Sequence, residues 1–239
     1  MTNLLELSKL IDHSILQPTF TDDDLKRECA VAVKYNTATV CVKPYHTAMA
    51  AQLVKGFDVG VCAVIGFPAG NSPIVSKVFE TEYVCREGAT EVDMVVNIGK
   101  VLMEDWDYID AELKAVHAGC KKYKAILKVI FETDYITKTE HKIKLCELCS
   151  KHNIEYVKTS TGYGFVKGQD GKYTYVGATL EDIALFKKHC NSTVKIKAAG
   201  GIRTLEDFIK FKDAGVARIG ASATVAIMEE AKKRFGLID

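Results

Sequence analysis

Two lysines sit where a buried strand has little use for a charge. The run Glu155-Tyr156-Val157-Lys158-Thr159-Ser160-Thr161-Gly162 carries Lys158 among apolar residues and ends in a turn rich in hydroxyls and glycine. Val194-Lys195-Ile196-Lys197-Ala198-Ala199-Gly200-Gly201 repeats the arrangement around Lys197. Lysines also cap strands and snorkel to water, but two at equivalent places, each ahead of a glycine turn, point to one shared site. If their side chains converge, each ammonium raises the cost of charging the other, which favours a free amine near neutral pH. A free amine attacks carbonyl carbon, so the expected chemistry runs through an imine, a Schiff base. Asp93, in Glu91-Val92-Asp93-Met94-Val95-Val96-Asn97, adds a carboxylate flanked by apolar residues. Once buried it needs a partner, and beside a lysine it can carry a proton.

The elements that must position these groups alternate along the chain. Short β-branched runs are separated by longer helical patterns, which marks strand-helix crossovers and a parallel sheet. Candidate strands fall at 10–16, 39–42, 59–67, 91–98, 125–131, 156–160, 194–198 and 217–220. Eight is the barrel number, and a barrel of roughly 250 residues matches a chain of 239. The expected fold class is α/β: a single TIM (β/α)8 barrel with an extra N-terminal helix, spanning 1–239 as one domain. Thr21, Thr179 and Thr204 each stand before acid-rich first turns and read as helix caps.

In such a barrel the reacting groups come from strand ends and the loops after them. Gly200-Gly201 after the seventh strand and Gly220-Ala221-Ser222 after the eighth can turn backbone N–H groups toward an anion, and Thr161-Gly162 after the sixth can complete the cradle. Residues 163–178 make an unusually long connection. Its Asp170-Gly171 turn and flanking aromatics predict a hairpin-like insertion that serves as a lid, a partner surface or a plain surface loop.

Composition narrows the partners. A formal net charge of +1 gives no general field for nucleic acid or a membrane surface. With 48% hydrophobic and 26% charged residues the chain can fill a sizeable core. Eight cysteines are scattered through apolar segments rather than set in a disulfide framework, which suits a reducing, cytoplasmic setting. Cys146 and Cys149 have a metal-motif spacing but lie in a helical stretch with no second pair, so no metal is expected there. No apolar run reaches the length of a membrane span, and the amino-terminal residues lack a targeting pattern.

Taken together, Leu10-Ile11-Asp12-His13, Val40-Cys41-Val42, Gly66-Phe67-Pro68-Ala69-Gly70, Glu91 to Asn97, Leu127-Lys128-Val129-Ile130-Phe131-Glu132-Thr133, Val157 to Gly162 and Gly200-Gly201-Ile202-Arg203-Thr204 resemble the deoxyribose-phosphate aldolase family over nearly the whole chain. The resemblance implies a class I aldolase, a lyase that reversibly cleaves 2-deoxy-D-ribose 5-phosphate to acetaldehyde and D-glyceraldehyde 3-phosphate in deoxyribose phosphate catabolism. It implies no cofactor, an imine on Lys158, and Asp93 and Lys197 as proton donor and acceptor. Asp12, Thr161, Gly162, Gly200, Gly201, Gly220 and Ser222 are then expected at the substrate and its phosphate, and the chain is expected to form a dimer or tetramer.

Three departures stand out. Tyr163 and the long insertion replace a shorter glycine-rich connection, a single Ser222 followed by Ala223 stands where two hydroxyls are common, and Ala199 precedes Gly200 where serine is frequent. Cys41, at a strand end, is either a buried small hydrophobe or a pocket thiol able to react with aldehydes. The alternatives are another Schiff-base barrel aldolase or transaldolase with a different sugar phosphate, and a barrel that binds sugar phosphate without catalysis.

Overall fold

The computed structural model describes residues 4–235. Helix α1 (Leu4–Ser8) precedes the first strand and buries Leu7. The strands are β1 (Ile11–Ile15), β2 (Thr39–Val42), β3 (Gly60–Ile65), β4 (Glu91–Val95), β5 (Ile126–Ile130) and β6 (Tyr156–Lys158), then a short pair β7 (Val166–Lys167) and β8 (Tyr173–Thr174), then β9 (Lys195–Ala199) and β10 (Arg218–Ala221). The helices after α1 are α2 (Asp22–Tyr35), α3 (Thr47–Leu53), α4 (Ile74–Arg86), α5 (Ile98–Leu102), α6 (Trp106–Lys122), α7 (Thr139–Lys151), α8 (Leu180–His189), α9 (Leu205–Asp213) and α10 (Thr224–Phe235). Eight parallel strands close in the order β1-β2-β3-β4-β5-β6-β9-β10, while β7 and β8 pair only with each other. This is the TIM barrel that the alternating pattern predicts.

Period-two alternation sorts the strand residues into two layers. Val92 and Met94 of β4, Leu127 and Val129 of β5, Val157 of β6 and Ile196 and Ala198 of β9 join the apolar layer between sheet and helices. Burying each large aliphatic side chain there contributes about 1.5–3 kcal/mol. The residues between them, Asp93, Lys128, Lys158 and Lys197, are equally buried but face the barrel interior. Parallel register then aligns them: Asp93 lies opposite Lys128, Lys158 opposite Lys197, and Lys197 opposite Arg218.

Helix starts follow local chemistry. Thr21, Thr179 and Thr204 each accept a hydrogen bond from the third residue beyond, Asp24, Asp182 and Asp207. Three strands end two or more residues before the predicted runs do. β3 stops at Ile65 because Gly66 turns with φ +55°. β4 stops at Val95 because the Asn97 side chain accepts from Lys100 N and caps α5. β6 stops at Lys158, after which Thr159 and Thr161 are drawn into side-chain bonds with the neighbouring strand ends.

Candidate active site

The barrel geometry brings Lys158, Lys197 and Asp93 to one point. Asp93 Oδ2 accepts from Lys158 Nζ at 2.7 Å and from Lys197 Nζ at 2.8 Å, while Oδ1 accepts from Lys128 Nζ at 2.8 Å. Asp12 on β1 meets Lys197 on one oxygen and Arg218 on the other, the latter at 2.5 Å. Glu91 completes the cluster, 2.6 Å from Lys128 and 3.0 Å from Arg218. Lys128, Arg218 and Glu91 were not singled out from sequence. Their signal was present, since Leu127-Lys128-Val129 shows the same apolar-flanked cation as Lys158, but no glycine turn follows it.

These contacts override desolvation. Burial works against the charge of Asp93, yet Lys128, Lys158 and Lys197 together hold its carboxyl well below the usual carboxylate range. Asp12 behaves alike, with Lys197, Lys128 and Arg218 outweighing burial. Burial also opposes the charge of Lys197, but Asp12 and Asp93 push its pKa above an ordinary lysine's. The mutual repulsion expected between the two strand-end lysines is therefore answered, for Lys197, by carboxylates standing between them. Among the described residues the cluster holds four cationic side chains against three carboxylates, so one positive charge is in excess. Lys158 is the member with a single carboxylate contact.

A cavity of about 520 Å³ opens over this cluster at the carboxyl ends of the strands. Lys158, Lys197, Asp12 and Cys41 lie at its base, and Gly162, Gly200, Gly201, Arg203 and Ser222 lie along its wall. Asp93 is fully buried beneath. Thr161 also lines the cavity, but its hydroxyl and N–H both donate to Glu132, which leaves the Gly162 backbone as that turn's freer contribution. Gly220 lies inside β10 rather than after it. A Cβ there would come 3.0 Å from Ala199 Cβ and 3.4 Å from Lys197 Cε, so glycine clears the path of the lysine side chain. Arg203, Phe165 and Tyr175 reach the cavity too and were not singled out individually, because only the folded insertion carries the last two there.

Cys41 is 2% exposed and lines the cavity. A hydrogen bond with Cys62 lowers its pKa, against burial and with help from Lys197 and Lys158. The ligand atoms of Cys41, Cys62 and Asp93 lie within 4.8 Å of one another, a spacing a metal ion can bridge. The Asp93 carboxylate, however, is already shared by three ammoniums, which a divalent cation would have to displace. Among the described residues no helix is long and apolar enough to cross a membrane.

The chain matches the family model of DeoC/LacD family aldolases over residues 7–237. It is 44% identical over 224 residues to the deoxyribose-phosphate aldolase of Bacillus cytotoxicus, covering 94% of this chain and 95% of that one. Against the deoxyribose-phosphate aldolase of Rhodopirellula baltica it is 39% identical over 236 residues, covering 97% and 92%. The tetrameric deoxyribose phosphate aldolase of Aeropyrum pernix superposes with a TM-score of 0.85 at 26% identity, covering 98% of this chain and 94% of that structure.

Proposed function

The chain belongs to the DeoC/LacD aldolase family, and from that premise we propose that residues 1–239 form one catalytic domain, interrupted by the 163–178 insertion, that cleaves 2-deoxy-D-ribose 5-phosphate reversibly to acetaldehyde and D-glyceraldehyde 3-phosphate. The observation that carries this reading is the Lys158 amine at the base of the cavity, 2.7 Å from an Asp93 oxygen that Lys197 also holds.

Each residue then has a task. Lys158 Nζ adds to the aldehyde carbon of the open-chain sugar, and loss of water gives the protonated imine, whose nitrogen draws electrons from the neighbouring carbon. The hydroxyl on the third carbon gives up its proton, the bond between the second and third carbons breaks, and glyceraldehyde 3-phosphate leaves. The electron pair remains as an enamine. Reprotonation of that carbon and hydrolysis of the imine release acetaldehyde and restore the amine. Asp93 and Lys197 are the groups within reach to accept and return these protons, and their direct contact lets a proton pass between them. Lys158 has a single carboxylate contact, the fewest of the cluster's cations, so its amine is the least tied down of the set. The imine formed on it is cationic, and Asp93 is placed to stabilise that charge.

At the far end, the Gly162, Gly200 and Gly201 backbone and Ser222 are assigned to the phosphate, with Asp12 holding Lys197 in place. The partners are small phosphorylated sugars and short aldehydes. Homo-oligomerisation belongs to the proposal as well, supported by the tetrameric Aeropyrum pernix relative and by Val75, Phe79 and Tyr83, exposed at four-residue spacing on α4. The test is acetaldehyde release from 2-deoxyribose 5-phosphate by the wild type and Lys158→Leu. Cleavage confined to the wild type supports the reading, and equal turnover by both removes it.

A further inference from the structure

The 163–178 insertion forms part of the cavity wall that the chemistry above does not use. Its two strands pair antiparallel, Val166 opposite Thr174 and Lys167 opposite Tyr173. Both ends are pinned to the barrel. Tyr135 Oη donates to Phe165 O at 3.0 Å, and the Asp134 carboxylate accepts from Val176 N at 2.5 Å and Gly177 N at 3.0 Å. Ala178 N donates to Gly200 O at 3.2 Å. Gly177, with φ +75°, packs so closely that a Cβ on it would stand 2.5 Å from Gly200 O. The returning end of the hairpin is thus fixed directly on the glycine turn assigned to the phosphate.

Between these pins Phe165 and Tyr175 meet edge to face, with centroids 5.2 Å apart, and both line the cavity. Tyr175 Oη accepts a hydrogen bond from Arg203 Nη2 at 3.3 Å. Arg203 follows Gly200-Gly201-Ile202, and among the described residues it is the cavity cation with no carboxylate within ion-pair distance, whereas Lys158 and Lys197 are bound to Asp93. A long exposed guanidinium spreads over many rotamers, and fixing it on substrate binding costs entropy. A hydroxyl that already holds one of its nitrogens removes part of that cost and leaves the other donors free for an anion.

We propose that Tyr175 is a positioning residue that aims Arg203 at the phosphate monoester of the substrate, so that the insertion sets the preference for phosphorylated over unphosphorylated deoxy sugar. This rests on the proposed aldolase reading and names the specificity of the same site. The Phe165 ring packs edge to face against Tyr175 and limits where that ring can move.

The test compares wild type, Tyr175→Phe, Arg203→Met and the double variant on 2-deoxyribose 5-phosphate and on unphosphorylated 2-deoxyribose, with inorganic phosphate as competitor. Tyr175→Phe is expected to lower the selectivity for the phosphorylated sugar about three- to tenfold, through KM rather than kcat, and to weaken phosphate inhibition by a similar factor. Arg203→Met is expected to lower it further, and the double variant to match Arg203→Met, because the tyrosine acts only through the arginine. Equal losses on both sugars, no loss on either, or additive effects in the double variant overturn the proposal. If the wild type cleaves neither sugar, the aldolase reading fails. Calorimetric binding of inorganic phosphate to wild type and Tyr175→Phe still decides the role of the tyrosine: weaker binding upholds it and equal binding overturns it.

Discussion

Lys77 and Glu112 meet at 2.6 Å in the layer between sheet and helices, while inside the barrel three lysines and Arg218 share Asp12, Glu91 and Asp93. Both sets are buried, yet their ionisation moves in opposite directions. Burial draws Lys77 down and pushes Glu112 up, and their single contact does not offset it, so this pair is shifted toward neutrality. In the barrel every carboxylate meets two or more cations, burial is outweighed, and Asp12 and Asp93 are held low while Lys128 and Lys197 are held high. One partner does not replace the water a charge loses, but several can. The isolated pair ties α4 to α6 and to the end of β4 and the turn after it, through Val95 O and Asn97 N. The network keeps its charge beneath the cavity to which the reaction is assigned above.

The largest effect should come from the network's least compensated member. Lys158→Leu is expected to lower acetaldehyde release by at least about 10⁴-fold while leaving the circular dichroism spectrum unchanged, since it removes the nucleophile and relieves an excess charge. Next, Lys77→Met should cost on the order of 3–5 kcal/mol in urea unfolding by stranding Glu112, and adding Glu112→Leu should recover much of it, short of the Asn97 N–H that loses its acceptor at 3.0 Å. Lys128→Met has no comparable rescue by one substitution, because Lys128 faces three carboxylates. Equal rescue at both places would erase the contrast between the two regions.

Glu132 gives a smaller, pH-dependent effect. Burial pushes its carboxyl up to about 7, against hydrogen bonds from Thr161 and the charge of Lys158 and with the help of Asp134. A carboxyl whose folded pKa lies above its unfolded value, near 4.5, contributes stability below that value and loses it as pH rises toward 7, about 3 kcal/mol in all. Glu132→Gln should therefore flatten the fall in urea midpoint between pH 5 and pH 8, and an unchanged slope would argue against it. The network runs the other way: Asp12 and Asp93 stabilise above the ordinary carboxylate range, and that contribution is lost only as pH falls far below it. Smallest of all, Lys210→Ala at the exposed pair with Glu206 should leave the urea midpoint unmoved at 0.15 M salt.

The barrel was legible because alternation of buried runs and capped helices is a local signal repeated along the chain. Lys158, Lys197 and Asp93 stood out because charge inside an apolar strand is locally anomalous. Their number in the cluster was less legible: Lys128 carries the same apolar-flanked signal but no glycine turn follows it, and Arg218 joins only through strand register. Strand ends were overextended where Gly66 and Asn97 turn the backbone within hydrophobic runs. The Asp170-Gly171 turn marked a reversal in the insertion, whereas the 3.3 Å contact between Tyr175 and Arg203 spans 28 residues and could not be read from either segment.

The central claim is that one lysine of the cluster, Lys158, carries the imine. The direct measurement is intact-protein mass after borohydride reduction with acetaldehyde, or with 2-deoxyribose 5-phosphate, followed by peptide mapping. The account predicts a single ethyl group on Lys158 with acetaldehyde, a single reduced adduct there with the sugar phosphate, and no adduct in Lys158→Leu. An adduct on Lys197, or none on folded wild-type protein with either compound, would contradict it.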